Sequence, residues 1–156
     1  MRATGRATTL AACALAVAAV SAGPTQADAG GSSCHAINAK GVGQDLGGGM
    51  TRAQIMGGGL LEGTTQGSFA VTGFSGTVAS ISGTVVFTVN RATVTVSVSG
   101  TLDVASGAFS ASGPVSASSG KLAGATGSLL LSGVENLGDG SFTETVIGTI
   151  CADLAP

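Results

Sequence analysis

The clearest pattern along this chain is strict alternation. Over residues 92–104, Ala92, Val94, Val96, Val98, Leu102 and Val104 alternate with Thr93, Thr95, Ser97, Ser99, Thr101 and Asp103. A period of two puts the apolar side chains on one face of a strand and the hydroxyls on the other. Just upstream, Val85, Phe87 and Val89 alternate with Thr84 and Thr88, and Asn90-Arg91 between the two runs reads as a hairpin turn. Downstream, Phe109, Ala111, Val115 and Ala117 share one parity. Residues 128–135 and 141–151 predict two further strands, joined by Asn136-Leu137-Gly138-Asp139-Gly140. Residues 35–42, 52–56, 60–67 and 69–71 are weaker strand candidates. No stretch sustains an apolar repeat of 3.6 residues, so little helix is expected beyond the N-terminal segment.

Ser-Gly pairs recur at 75–76, 82–83, 99–100, 106–107, 112–113, 119–120 and 132–133. Their spacing is irregular, which argues against a fixed-period solenoid. They read as turns and as strand positions where bending or close backbone approach excludes a side chain. Seven to nine consecutive strands with short links make a meander, and a meander of that size hides its edges best by closing into a barrel. Gly41-Val42-Gly43 and Gly47-Gly48-Gly49 are expected to form a flexible link between the first strands, because neither the following helix nor the Lys-Ser/Thr of a phosphate loop is present.

The N-terminal segment reads as an address. Arg2 and Arg6 precede an apolar run at residues 9–20, and Ala27-Asp28-Ala29 supplies an A-x-A cleavage pattern. The run is too short to span a membrane, which takes about 20 apolar residues. The expectation is a signal peptide over 1–29, with Ala22 as a weaker cleavage site, and a single domain over 30–156. Cys13 inside the apolar run also admits a lipoprotein-type processing site. The remaining Cys34 and Cys151 are an even number in an exported chain, so a disulfide joining the first strand to the last is expected. A free Cys34 paired with His35 as a nucleophile is geometrically poor, since adjacent strand residues point to opposite faces.

Composition narrows the function classes. Lys+Arg number 6 against Asp+Glu 8, with no Trp and no Tyr, so there is no basic stripe or stacking platform for nucleic acid. The chain is 44% hydrophobic with a net charge of −2, unlike a disordered polypeptide. One His and two paired Cys do not make a usual zinc site, and no G-x-S-x-G elbow is present, so neither a metal, a cofactor nor a hydrolase triad is expected. Asp139 between two glycines lacks further carboxylates at calcium-loop spacing and reads as a hairpin turn.

Glu144 stands out among the ionisable residues. It shares even parity with Phe142, Val146 and Ile150 in the last predicted strand. If that face points inward, a carboxyl sits inside an apolar barrel with its pKa raised, suited to general acid chemistry or to a ligand hydrogen bond. The other parity, Thr143, Thr145, Ile147 and Thr149, or a wet rim position for Glu144, is the open alternative. Glu62 is a second catalytic candidate in a strand without clear parity. Phe87, Phe109 and Phe142 join Glu144 as candidate ligand contacts. Arg52 and Arg91 are either partners for these acids or turn residues.

The segment Lys121-Leu122-Ala123-Gly124-Ala125-Thr126-Gly127, followed by an apolar strand, resembles the GKFAGATG segment of allene oxide cyclase-like and dirigent-like barrels. The strand over 93–109, with Gly100, Leu102-Asp103 and Ser106-Gly107-Ala108-Phe109, is similar to the pattern ahead of that segment. The likeness covers most of residues 36–152 and points to a bacterial, secreted member. It implies an all-β, eight-stranded antiparallel up-and-down barrel, calycin-like in outline. It also implies kinship with proteins that cyclise or steer reactive apolar intermediates. Three functions follow as expectations: binding of a small apolar molecule, cyclase or isomerase activity on an apolar intermediate, and a filled structural barrel without a ligand. The first is preferred, with no nucleic-acid partner and no membrane insertion after cleavage; the oligomeric state is open.

Overall fold

The structure, a computed structural model, describes residues 31–154. The expected signal peptide, its cleavage sites and Cys13 lie outside the described residues. Eight antiparallel strands follow one another as a closed up-and-down barrel: β1 (Ser33–Gly47), β2 (Met50–Met56), β3 (Gly63–Ser75), β4 (Val78–Val89), β5 (Ala92–Asp103), β6 (Ala108–Ser119), β7 (Thr126–Glu135) and β8 (Ser141–Ala152). Closure runs along β1 and β8, from Ser33 opposite Ala152 to Gln44 opposite Ser141. Each strand therefore has two partners, and no sheet edge runs the length of the molecule.

Alternation decides which side chains fill the barrel. On β5, Ala92, Val94, Val96 and Val98 are buried while the intervening Thr and Ser face outward or lie half-buried. Val85, Phe87 and Val89 do the same on β4, and Phe142, Val146 and Ile150 on β8. Asn90 and Arg91 form the tight β4–β5 hairpin, both at positive φ, 28° and 69°. Val104 falls past the end of β5 and is exposed, so the alternation stops one position earlier than the sequence pattern implies.

Several sequence expectations are corrected. Gly41 and Gly43 are not in a flexible link; they belong to the inner face of β1, and Gly47–Gly49 close a hairpin to β2. Residues 60–67 are not one strand. A 3-10 turn (Gly59–Leu61) buries Leu61 and β3 begins only at Gly63, then runs unbroken through 69–71. Ala117 does not share the orientation of Phe109 and Ala111. The β5–β6 register shifts between Thr95 and Val96, so Ala117 turns outward.

The two ends of the barrel differ. At one end the 3-10 turn carrying Leu61 and a second one (Gly120–Leu122) carrying Leu122 fold inward, with Ile37, Phe87, Val94 and Ile150 buried beneath. Full burial of each such side chain stabilises by about 1.5–3 kcal/mol. Cys34 and Cys151, directly opposed on β1 and β8, are disulfide-bonded near this closed end. That bond excludes a free Cys34 nucleophile and belongs to an oxidising compartment. The other end carries the β1–β2, β3–β4, β5–β6 and β7–β8 turns and stays open.

Candidate functional site

The open end leads into a cavity of about 260 Å³. Small inward residues at this end make room for the larger side chains that surround the space. Along the mouth half of β1 the inward positions are Gly41 and Gly43, and β7 contributes Gly133. Ala111, Val85, Val98 and Leu131 form the apolar walls, and Phe69, Phe109 and Phe142 supply rings. Phe109 and Phe142 meet edge to face, with centroids 5.9 Å apart and planes at 89°. Such pairs are worth about 0.5–1.5 kcal/mol beyond burial, and this one fixes both rings in the wall.

Glu144 lies in that wall, one inward step below Phe142 on β8. It is only 8% exposed. Its cross-strand neighbours are both glycines, Gly41 on β1 and Gly133 on β7. A Cβ placed on Gly41 would lie 2.6 Å from the Glu144 Cγ and 2.7 Å from its Oε1. The missing side chain at Gly41 is what makes room for the carboxyl group, while Gly133 makes room for the Phe109 ring. No hydrogen bond or ion pair to this group is found among the described residues. Burial alone pushes the Glu144 carboxyl up to about 7, because a charge inside an apolar wall loses its hydration without gaining a partner.

Two more acids line the rim. Asp45, inward on β1, and Glu135, at the end of β7, border the same cavity. Burial raises the Glu135 carboxyl above its ordinary value, and the charge and hydrogen bond of Asp45 raise it further. Asp45 is held by the rim itself. Its carboxylate accepts from Gly47 N–H at 2.8 Å, and its own N–H donates to the Gly140 carbonyl at 2.8 Å. Thr51 and Thr65 add hydroxyl groups from β2 and β3, and among the described residues no Lys, Arg or His lines the cavity.

Among the residues expected from sequence, Glu144, Phe109 and Phe142 come together here. Phe87 does not: it is fully buried in the core on β4, outside the cavity wall. Glu62 is exposed in the link after the first 3-10 turn, because β3 starts one residue later. Arg52 projects outward from β2, and Arg91 sits in the β4–β5 hairpin, so neither reaches the cavity acids. Asp139 works as a turn residue, accepting from Ser141 N–H and Oγ–H at 2.9 and 2.7 Å. Sequence reasoning missed Phe69, Asp45 and Glu135. Glu135 was within reach of the alternation of Leu129 and Leu131. Asp45 was hidden because the inward positions before it are glycines, which carry no hydropathy signal.

A long β3–β4 hairpin stands above the mouth. β2 pairs with β3 only as far as Ser68, so the chain from Ala70 to Ser75 pairs with β4 alone. Phe74 opposes Ala79, which opposes Leu102 of the cavity wall, so Phe74 shares the inner face, exposed and outside the cavity lining. Comparison with known protein families, curated proteins and solved structures returned no match.

Proposed function

We propose that this protein is a secreted barrel that binds a small apolar molecule in its open end. The observation that carries this reading is the cavity beside Glu144, in a barrel whose other half is densely filled. A barrel of eight strands has room for one small ligand at its mouth. Burying an unpartnered carboxyl costs stability, and a purely structural barrel gains nothing from it. Secretion agrees with the disulfide and with the N-terminal pattern. The test is native mass spectrometry of protein taken from culture supernatant without refolding. A co-travelling small molecule supports the reading and gives its mass. Ligand-free protein that also fails to bind an apolar fluorescent probe removes it and favours a structural barrel.

A second reading is favoured by one observation, the Glu144 carboxyl in the cavity wall titrating near neutrality. A group of that pKa suits general acid–base work, and positioning in a shaped cavity lowers a barrier further. A cyclase or isomerase of the allene oxide cyclase-like type fits this. Conversion of the co-purified molecule's precursor by the parent protein, lost in Glu144→Gln with binding retained, supports catalysis. Equal conversion by both proteins removes it.

A further inference from the structure

Every charged side chain on the cavity wall is acidic: Asp45, Glu135 and Glu144. Glu144 is 8% exposed and has no hydrogen-bond or ion-pair partner among the described residues. The rest of the wall is apolar apart from the hydroxyls of Thr51 and Thr65. We propose that the ligand is an apolar molecule with one protonated nitrogen, an alkyl or aryl amine, seated with its ammonium on Glu144 and its hydrocarbon against the apolar wall. This rests on the binding reading above and adds the chemical class of the ligand.

The electrostatics select against the alternatives. An anionic amphiphile such as a fatty acid would bring a like charge into a space with three acids and no cation. A neutral alcohol can donate to the carboxylate and a ketone can accept from the protonated carboxyl, but neither neutralises the charge. An ammonium replaces lost hydration by a charge-assisted hydrogen bond in a low-dielectric wall. Three further features act in the same direction. The rings of Phe69, Phe109 and Phe142 line the same space, and aromatic ring faces attract cations. Asp45 and Glu135 add carboxyl groups at the rim, on the entry path, where they favour an approaching cation. Gly41, opposite Glu144, carries no side chain to cover the carboxyl: a Cβ there would lie 2.7 Å from its Oε1.

The experiment compares three probes of one chain length, n-octylamine, n-octanol and n-octanoate, by titration calorimetry on the parent protein and on Glu144→Gln at pH 8 and fixed salt. The expected order on the parent is amine first, alcohol weaker by about tenfold or more, and carboxylate weakest. Glu144→Gln should cost the amine the same factor and leave the alcohol unchanged. Its melting temperature, measured alongside, checks that the variant folds. Equal binding of amine and alcohol, or an amine preference that survives Glu144→Gln, overturns the amine assignment and leaves a general apolar binder. Tighter binding of octanoate overturns it as well. Failure of all three probes to bind the folded parent overturns both this assignment and the binding reading beneath it.

Discussion

One side chain, Glu144, dominates the pH behaviour of this barrel near neutrality. The Glu144 carboxyl is raised from 4.5 to about 7 by burial, so the folded state holds its proton over a range where the unfolded chain has released it. Stability from this source is fully present below the unfolded pKa and is lost as pH rises through the folded one. The whole loss is on the order of 3 kcal/mol. Glu144→Gln removes the titration and keeps the shape. Urea unfolding should give nearly equal stabilities for parent and variant near pH 4, and a variant more stable by about 2–3 kcal/mol at pH 8. Matching curves at pH 8 would mean that Glu144 is hydrated after all. Glu135 is raised in the same direction, so a smaller slope should persist in the variant. The glycine beside Glu144 gives an independent handle. Gly41→Ala would set a methyl group 2.6 Å from the Glu144 Cγ and 2.9 Å from the Ile55 Cδ1. It should cost about 1–3 kcal/mol by overpacking and weaken probe binding by displacing the carboxyl. Unchanged probe affinity and stability together would show that this space is slack.

Hairpins and the strand closure carry the next level of order. Arg91 holds φ at 69° in the β4–β5 turn, a conformation that costs a residue with a Cβ about 1–2 kcal/mol and a glycine almost nothing. Arg91→Gly should therefore raise the melting temperature by a few degrees, read by thermal circular dichroism; a fall would mean that the arginine makes a compensating contact. The Cys34–Cys151 disulfide spans 117 residues of sequence and joins the strands that close the barrel. Replacing both cysteines by Ser should cost about 4–5 kcal/mol, because a large loop is released in the unfolded state. An unchanged melting temperature would remove the staple from the account. At this scale the sequence was highly legible where side chains carry hydropathy. The alternating faces of β4 and β5, the Asn90-Arg91 turn and the disulfide follow from alternation and cysteine position; for β8 alternation singles out Glu144 with Phe142, Val146 and Ile150 but leaves open which parity points inward, and the fold settles it. Legibility fails where the inner face is glycine, as on β1, since an inward glycine and a linker glycine look alike. It fails again at the β5–β6 bulge, where one extra residue turns Ala117 outward. Leu60 and Leu61 read as strand because a short 3-10 plug has no periodicity of its own.

Taken as a whole, the barrel is filled at one end and empty at the other, and this asymmetry is not forced by the fold. The same eight-strand closure supports Leu61, Leu122, Phe87 and Ile150 at the plugged end, so larger side chains fit a barrel of this circumference. A filled mouth would bury more apolar area at about 25 cal/mol per Å² and stabilise the chain. The empty half instead combines small inner residues, three rings and an unpartnered acid, and natural proteins give up stability of this kind at working sites. That trade can be reversed by one substitution. Ala111 is 5% exposed, lines the cavity and pairs across strands with Gly100 and Leu131. Ala111→Leu extends about three carbon atoms into a space of about 260 Å³, and each buried methylene is worth about 0.8 kcal/mol. The expected result is a melting temperature at or above that of the parent together with loss of n-octylamine and n-octanol binding. Destabilisation would indicate that the space closes up in solution and that the barrel is filled along its full length. Retained binding in a stabilised variant would locate the ligand elsewhere, with the exposed Phe74 on the β3–β4 hairpin as the next place to probe.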